Sequence, residues 1–269
     1  MISCINGATT MPYTLEQDLE AAAKAGFEAV EIWSRKLDTY LEANSVDDLK
    51  VMLDRLELKV ASLCPYSLVG FADNRGHIIA IRKASEIAEA IDCPVLLVCG
   101  DAPPEGVSED EAYDSMANVA CTYADWAEDH GVKIAIEPLG GHPFIPGPKE
   151  ALEIIERADH DSLGLMLDTF HYYKSGVSMD AIRDIPLDRL FIVHVNDCED
   201  LPAAELTDGH RLHMGEGILP LKEVLGIIKE KGYEGALSVE IFREAYWNQD
   251  PEDISRDAKA GLDRTLALL

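Results

Sequence analysis

The chain has 269 residues, of which 23 are Lys or Arg and 50 are Asp or Glu, so its formal charge is −27. Proteins that bind nucleic acid or anionic lipid depend on clustered basic side chains, and this excess of acid argues against both functions. With 47% hydrophobic and 27% charged residues, the composition is that of a globular protein with a sizeable core, which excludes disorder over most of the chain. The acidity fits either a salt-adapted protein or an ordinary acidic cytoplasmic enzyme, and we adopt the second interpretation.

Neither a membrane anchor nor a secretion signal is expected. No run of 18 or more apolar residues occurs, and residues 1–6 lack a basic stretch before an apolar one, which predicts a cytoplasmic protein. The six cysteines are scattered and form no CxxC pair. They are therefore predicted to be reduced, buried thiols rather than disulfides or zinc ligands.

Eight short runs rich in Val, Ile and Leu predict β-strands along the chain. In chain order they begin at Ile2, Ala29, Lys59, Pro94, Val132, Leu163, Leu190 and Ala236. The third run, KVASLC, extends from Lys59 to Cys64.

A helix candidate follows each predicted strand, and several carry end signals. Thr14 with Gln17, and Ser108 with Glu111, have the spacing of a capping box. Asp250 followed by Pro251 predicts an N-cap and a first-turn proline. Glycines that are typical of helix ends follow three of the helical patterns: Gly26, Gly131 and Gly232.

Regular alternation of apolar strands with amphipathic helices predicts an α/β protein with a parallel sheet, and eight such units match the length of a closed (β/α)₈ TIM barrel. The alternative is a doubly wound open sheet. Against it, no GxGxxG follows the first strand and no GxxxxGK[ST] occurs. No linker or change in composition divides the chain, so residues 1–269 are predicted to form one domain. The longest connection, from Asn196 to Leu219, is polar and is predicted to be an active-site loop.

Active sites of such barrels lie at the carboxyl ends of the strands, so polar residues late in apolar strands are the first candidates. Each of the last four predicted strands supplies one: Glu137, Asp168, His194 and Glu240. Burying a carboxylate without a partner costs several kcal/mol. For each acid taken alone, pairing with a neighbouring base or contact with solvent at the barrel mouth explains its position as well as a functional role does.

The four residues taken together favour a metal site. Few bases lie near them in the sequence; these are Lys133, Arg189 and Arg243. Three carboxylates and one imidazole that converge on one point make a mixed oxygen and nitrogen site, suited to Mn²⁺, Mg²⁺, Co²⁺ or Zn²⁺.

Five further residues are predicted at the same end of the barrel as substrate contacts. His171 follows Asp168 by three residues and is a candidate to bind a substrate hydroxyl. Glu31 and Trp33 end the second strand and are candidates to line the pocket, although a purely structural Trp is equally common. The remaining two candidates lie in loops, His142 after the fifth strand and Arg211 in the long connection.

The motifs around these residues resemble those of the xylose isomerase-like barrel superfamily of sugar-phosphate isomerases and epimerases. The matching segments are IEPL at Glu137, LDTFH from Asp168 to His171, VHVND at His194, GEG at 215–217 and VEIF at Glu240. Two finer features, GHP at 141–143 and the run from Leu237 to Trp247, are most similar to the inosose (2-keto-myo-inositol) isomerase branch.

The resemblance implies one divalent ion held by Glu137, Asp168, His194 and Glu240, and a small-molecule sugar or polyol ketone as substrate. The metal would polarise the carbonyl and stabilise an enediolate, while Glu137 and Glu240 would also act as catalytic base and acid. Barrels of this family often pair, which leaves a homodimer open.

Three alternatives to an isomerase or epimerase were weighed. A dehydratase acting on a keto-inositol or keto acid starts from the same enediolate, and the sequence does not separate it. An apurinic-site endonuclease needs histidines at the ends of strands three and four, where this chain has Cys64 and Cys99, and the net charge also opposes it. A non-catalytic sugar-binding protein is disfavoured because all four ligand positions are filled.

Overall fold

The computed structural model describes residues 1–269 and contains a closed barrel of eight parallel strands. The barrel strands are β1 (Ile2–Asn6), β2 (Ala29–Trp33), β3 (Lys59–Leu68), β4 (Val95–Gly100), β5 (Lys133–Glu137), β6 (Leu163–Asp168), β7 (Leu190–Val195) and β10 (Ala236–Val239). They pair in chain order, and the barrel closes where β10 pairs with β1. A two-stranded antiparallel hairpin, β8 (Asp197–Cys198) with β9 (Arg211–Leu212), lies within the connection after β7.

Ten α-helices surround the barrel. They are α1 (Leu15–Ala25), α2 (Ser34–Leu41), α3 (Val46–Leu56), α4 (Arg75–Ala90), α5 (Glu109–Glu128), α6 (Pro148–Ala158), α7 (Thr169–Lys174), α8 (Met179–Asp184), α9 (Leu221–Glu230) and α10 (Pro251–Leu266). Three short 3₁₀ segments accompany them at Leu187–Arg189, Asp208–His210 and Tyr246–Asn248. None of the helices is long and apolar enough to cross a membrane.

The (β/α)₈ prediction is confirmed, with ten helices instead of eight because two crossovers are split. In the crossover after β2, the helix is interrupted before Ser45. The Ser45 side chain accepts the Asp48 N–H, and this capping box starts α3. The capping boxes predicted at Thr14 and Ser108 are both formed. The glycines predicted at helix ends have left-handed φ angles of 84°, 69° and 85° at Gly26, Gly131 and Gly232.

The third strand is longer than predicted and continues through Pro65 to Leu68. Its pairing with β4 is irregular between Leu63 and Tyr66, which is where the proline lies. A proline at a break in the ladder deprives no neighbour of a hydrogen bond, so it does not end the strand.

Two apolar layers hold the barrel together. The larger cluster, of 64 buried residues, fills the space between strands and helices. A second cluster of nine buried residues includes Ala135, Met166 and Ile192. These side chains alternate along the strands with those of the larger cluster, so they point inward and fill the barrel interior. All six cysteines are free thiols, and Cys99 and Cys121 are half-buried rather than buried.

The connection from 196 to 219 is held by one buried carboxylate, that of Asp197. Its oxygens accept the backbone N–H groups of Cys198, Gly215, Gly217 and Leu219 at 2.9–3.1 Å. A Cβ on Gly217 would lie 2.1 Å from the Cys198 carbonyl oxygen, so only glycine fits there. The predicted active-site loop is therefore an ordered structure at the barrel mouth.

Candidate metal centre

Four side chains from neighbouring strands converge at the carboxyl end of the barrel. Glu137 ends β5, Asp168 ends β6, His194 is the penultimate residue of β7 and Glu240 directly follows β10. All four are buried, and one ligand atom from each lies within 4.8 Å of the others. The structure therefore brings together the whole set that the strand pattern predicted, in an arrangement able to hold one divalent ion.

The imidazole of His194 faces the three carboxylates with one nitrogen. Its Nδ1 lies 3.1 Å from Glu240 Oε2 and 3.8 Å from both Glu137 Oε1 and Asp168 Oδ2. Both ring nitrogens of His194 are buried, and neither has a hydrogen bond of regular geometry. An unpartnered imidazole nitrogen among carboxylate oxygens is the donor set that a divalent metal requires, so the residues present fit such an ion.

The two oxygens of Asp168 have different partners. Oδ1 accepts the N–H groups of Phe170 and His171 at 2.7 and 3.2 Å and caps α7. Oδ2 is thereby directed into the site, where Arg211 Nη1 donates to it at 2.8 Å. The same nitrogen donates to Glu240 Oε2 at 2.9 Å.

Arg211 thus supplies the base that the strands themselves lack. Its guanidinium is completely buried and lies between the rings of Phe170 and Phe242, at 4.8 and 5.4 Å from their centroids. Nη2 donates to Asp208 at 2.8 Å and contacts His171 Nε2 at 3.1 Å. Every N–H of the group has a protein partner, so contact with a substrate oxygen requires that one of these bonds be released.

The electrostatics differ among the four residues. Burial, aided by the nearby charge of Glu240, raises the pKa of Glu137 to about 8. Burial also acts to raise the pKa of Asp168, but the charge of Arg211 outweighs it and holds that pKa well below its usual range. For His194, burial acts to lower the pKa, but the surrounding carboxylates, Glu240 first, raise it well above its usual value. In the metal-free protein, Glu137 is therefore a carboxyl that holds a proton at neutral pH.

A cavity of 410 Å³ opens above the four residues and is lined by Glu137 and Glu240 among others. Its volume lies within the range of small-molecule sites. Trp33 and Phe242 meet edge to face at 5.7 Å and form an apolar wall. His142 and His171 line the cavity as predicted, together with Arg211.

The two histidines are held in different ways. The Nδ1 atom of His142 accepts the N–H groups of Phe144 and Ile145 at 3.1 and 2.9 Å, which leaves Nε2 to carry the proton. His171 Nε2 lies 3.8 Å from Glu137 Oε1. Burial lowers the pKa of both imidazoles, so both are neutral donors or acceptors at neutral pH.

Glu31 does not line the cavity, contrary to the sequence expectation. Side chains that point into the barrel alternate along β2, so Glu31 lies one layer below Trp33. Its side chain is fully buried, and its Oε2 lies 2.7 Å from His194 Nε2, on the far side of the imidazole from the other carboxylates. The sequence could show that Glu31 ends an apolar run, but not how deep in the barrel it lies.

Several cavity residues were not singled out from the sequence. Lys174 and Asp208 line the mouth, and Cys99 lines the wall, where its Sγ donates to Glu137 Oε2 at 3.3 Å. The Lys174 stem packs on Gly140, where a Cβ would lie 2.9 Å from the Lys174 Cβ. The available signal was the glycine pair Gly140 and Gly141, three residues after Glu137, but a glycine pair alone does not show which side chain packs on it.

Comparison with known proteins agrees with this geometry. The chain matches the xylose isomerase-like TIM barrel family over residues 19–265. The inosose isomerase of Halalkalibacterium halodurans is 33% identical over 263 residues, which are 95% of this chain and 93% of that protein. The 3-dehydroshikimate dehydratase of Pseudomonas putida is 26% identical over 238 residues, which are 87% of this chain and 37% of that longer protein.

A solved structure shows the same architecture. A crystal structure of the IolI protein with a bound zinc atom superposes with a TM-score of 0.90 at 31% identity, and the alignment covers 99% of this chain and 98% of that one. The family match runs from within α1 to within α10 and thus includes the strands that carry all four candidate ligands. The resemblance predicted from the sequence motifs is confirmed: the chain belongs to the xylose isomerase-like TIM barrel family.

Proposed function

We propose that this protein is a divalent-metal-dependent isomerase of sugar or polyol ketones, with an inosose-type cyclic ketone as substrate. One observation carries the proposal. Three carboxylates and the unpartnered Nδ1 of His194 converge within 4.8 Å beneath a cavity of 410 Å³. The relatives named inosose isomerase, at 28–33% identity over most of the chain, support the class of substrate.

The proposed reaction moves a proton between adjacent carbons. A base removes the proton of the hydroxyl-bearing carbon beside the carbonyl, an acid returns a proton to the former carbonyl carbon, and the hydroxyl proton passes to the former carbonyl oxygen. A divalent ion held by Glu137, Asp168, His194 and Glu240 would polarise the ketone and stabilise the negative charge of the enediolate.

Glu137 and Glu240 are the proposed proton-transfer groups, one as base and the other as acid. Glu137 ends β5 and Glu240 directly follows β10; β6 and β7 separate these strands in the barrel, so the two carboxyls approach the cavity from different sides. Two carboxyls placed on different sides of one substrate suit the removal of a proton at one carbon and its return at the next.

The cavity wall provides the remaining contacts. We propose that the imidazoles of His142 and His171 bind substrate hydroxyls and that the Trp33 ring packs against the apolar face of the substrate. His171 also contacts Arg211, so a hydroxyl bound there would be linked through the guanidinium to Asp168 and Glu240.

A second candidate, dehydration of a keto-inositol or keto acid on the same site, is favoured by one relative, the 3-dehydroshikimate dehydratase. The two reactions share the removal of the α-proton and differ in whether water then leaves. Proton exchange followed by NMR in D₂O separates them. EDTA-treated protein is offered 2-keto-myo-inositol, a panel of ketoses and 3-dehydroshikimate, with Zn²⁺, with Mn²⁺ or without metal.

Metal-dependent exchange of the α-proton together with a new isomer is the expected result. Exchange followed by loss of water would instead establish the dehydratase. If no ketone exchanges while zinc binds tightly, the proposal of an isomerase is wrong.

Variants test the catalytic assignment. Glu137→Gln and Glu240→Gln should each lower turnover by about 100-fold or more, the usual contribution of a positioned general base or acid. Glu216→Gln is the matched control, because Glu216 is an exposed residue of the same barrel end whose side chain accepts from Tyr246. Turnover near the wild-type rate in either cavity variant would contradict the assignment.

Two further expectations remain proposals. We propose that residues 1–269 act as one domain, since strands from both ends of the chain, β1 and β10, close the same barrel. Association into a homodimer stays a prediction, and sedimentation equilibrium would test it.

A further inference from the structure

Glu31 is a buried acid with no Lys or Arg side chain beside it. Its side chain is 0% exposed, and the only cationic group within 4 Å is the imidazole of His194, at 2.7 Å from Oε2 to Nε2. A carboxylate in this position is costly unless donors surround it, because it has lost its hydration. Hydrogen-bond donors around Glu31 must therefore offset the free-energy cost of burying its carboxylate.

Three donor groups surround the carboxylate. Ser62 Oγ donates to Oε1, and Asn6 Nδ2 donates to Oε2 at 3.1 Å. The third is His194 Nε2, which lies 2.7 Å from the same Oε2 without the alignment of a regular hydrogen bond. Ser62 and Asn6 each present a hydrogen to the carboxylate, and an ionised carboxylate only accepts, so a hydrogen on Nε2 is the arrangement that suits Glu31. The pocket around Glu31 thus favours a proton on Nε2.

The proton on Nε2 determines what the opposite nitrogen can do. A metal ion binds Nδ1 only after that nitrogen has lost its proton, and the metal-bound ring then carries its one remaining proton on Nε2. Nδ1 is the nitrogen that faces Glu137, Asp168 and Glu240. Without an acceptor below the ring, the proton would be free to move to Nδ1, where the three carboxylates attract it.

We propose that Glu31 is a positioning residue for the metal centre: it holds the His194 proton on Nε2 and so keeps Nδ1 available as a metal ligand. The inference rests on the proposed function only in requiring that the site binds a divalent ion. It assigns Glu31 no contact with substrate. Partners of this kind, which accept a proton from a metal-bound histidine, contribute about 10–100-fold to metal affinity in other proteins.

Zinc affinity without substrate is the direct test. Glu31→Leu removes the acceptor, and we expect its zinc Kd, measured by calorimetric titration, to rise about 10–100-fold. Glu31→Gln can still offer an oxygen to Nε2 while its amide turns toward the Ser62 hydroxyl, which can accept as well as donate. The Gln variant is therefore expected to recover most of the affinity, although it lacks the charge.

Ser62→Ala is the matched control. It removes a buried donor from the same carboxylate but does not touch His194, so the zinc Kd should change by less than about threefold, well below the loss typical of a lost histidine partner. If Glu31→Leu also stays within that limit, the inference is overturned. Equal losses in the Leu and Gln variants would also overturn it, because a proton acceptor would then not be the relevant property.

A measurement on the wild-type protein covers the case in which Glu31→Leu does not fold. The ¹⁵N NMR shifts of His194 in the zinc-loaded protein should show a protonated Nε2 and a zinc-bound Nδ1. The opposite assignment would overturn the inference. A protein that binds zinc as inferred but exchanges no ketone proton would refute the proposed function alone.

Discussion

Replacement of Arg211 by Met tests how strongly this buried guanidinium stabilises the two carboxylates that it contacts. In the metal-free protein the guanidinium is the cation that directly contacts Asp168 Oδ2 and Glu240 Oε2, at 2.8 and 2.9 Å. Methionine preserves much of the apolar stem between Phe170 and Phe242 but removes the guanidinium from both carboxylates. Their nearest remaining cationic partner is the His194 imidazole, 3.1 Å from Glu240 Oε2 and 3.8 Å from Asp168 Oδ2.

The expected cost follows from burial. All three charged side chains are at most 6% exposed, so water does not replace the lost contacts. Removing one partner of a buried ion pair typically costs about 3–5 kcal/mol. For a chain of this size, each kcal/mol lowers Tm by about 2–4 °C, so the apparent Tm should fall by about 6–20 °C.

The assay is thermal unfolding of EDTA-treated protein followed by circular dichroism, repeated with excess Zn²⁺. Because a divalent ion brings positive charge to the same two carboxylates, we expect the difference between variant and wild type to narrow when metal is added. The narrowing separates a charge effect from a simple packing defect, which metal would not repair.

Arg157→Met is the matched control. Arg157 also contacts three carboxylates, those of Asp110, Asp114 and Glu153, but its partners are largely exposed. Exposed pairs contribute little, so its Tm should fall far less and should not respond to zinc. An Arg211 variant that loses less than about 1 kcal/mol, or no more than the Arg157 variant, would refute the argument from burial.

Two further predictions concern stability. Burial lowers the pKa of His213 below 6.5, so the unfolded chain gains a proton more readily than the folded one, and the free energy of unfolding falls as the pH drops below about 6.5. His213→Phe keeps a ring stacked on Tyr246, 4.3 Å away, and should reduce that fall in urea titrations at about pH 7 and pH 5; an unchanged pH dependence would contradict the assignment. Gly226→Ala, within α9 and with no atom within 4 Å of the new Cβ, should stabilise the protein by about 0.5–1 kcal/mol. Gly164→Ala in β6 would place a Cβ 2.5 Å from the Phe191 ring and should cost about 1–3 kcal/mol, and the opposite order of the two Tm values would show the packing argument to be wrong.

Local chemistry was enough to predict the eight barrel strands, the main helix starts and the four candidate ligands. The capping boxes at Thr14 and Ser108 are formed within four residues of chain, so the sequence contains all the groups involved. Glu137 and Asp168 end apolar strands, and parallel strands of a barrel direct their carboxyl ends to the same side. Once eight such strands were predicted, convergence of these acids followed without knowledge of any contact.

The environment of those ligands depends on the tertiary structure, because it joins residues that are remote in the chain. Arg211 contacts Asp168 across 43 residues through a loop whose path Asp197 determines, and no strand pattern indicates that contact. Glu31 contacts His194 only because the barrel closes, which places β2 and β7 across a shared interior. Periodicity shows which face of a strand is buried, but the depth of a side chain in the barrel depends on register and tilt among all eight strands. For that reason the sequence identified Glu31 as a residue of the site, and only the folded barrel placed it beneath the histidine rather than in the cavity.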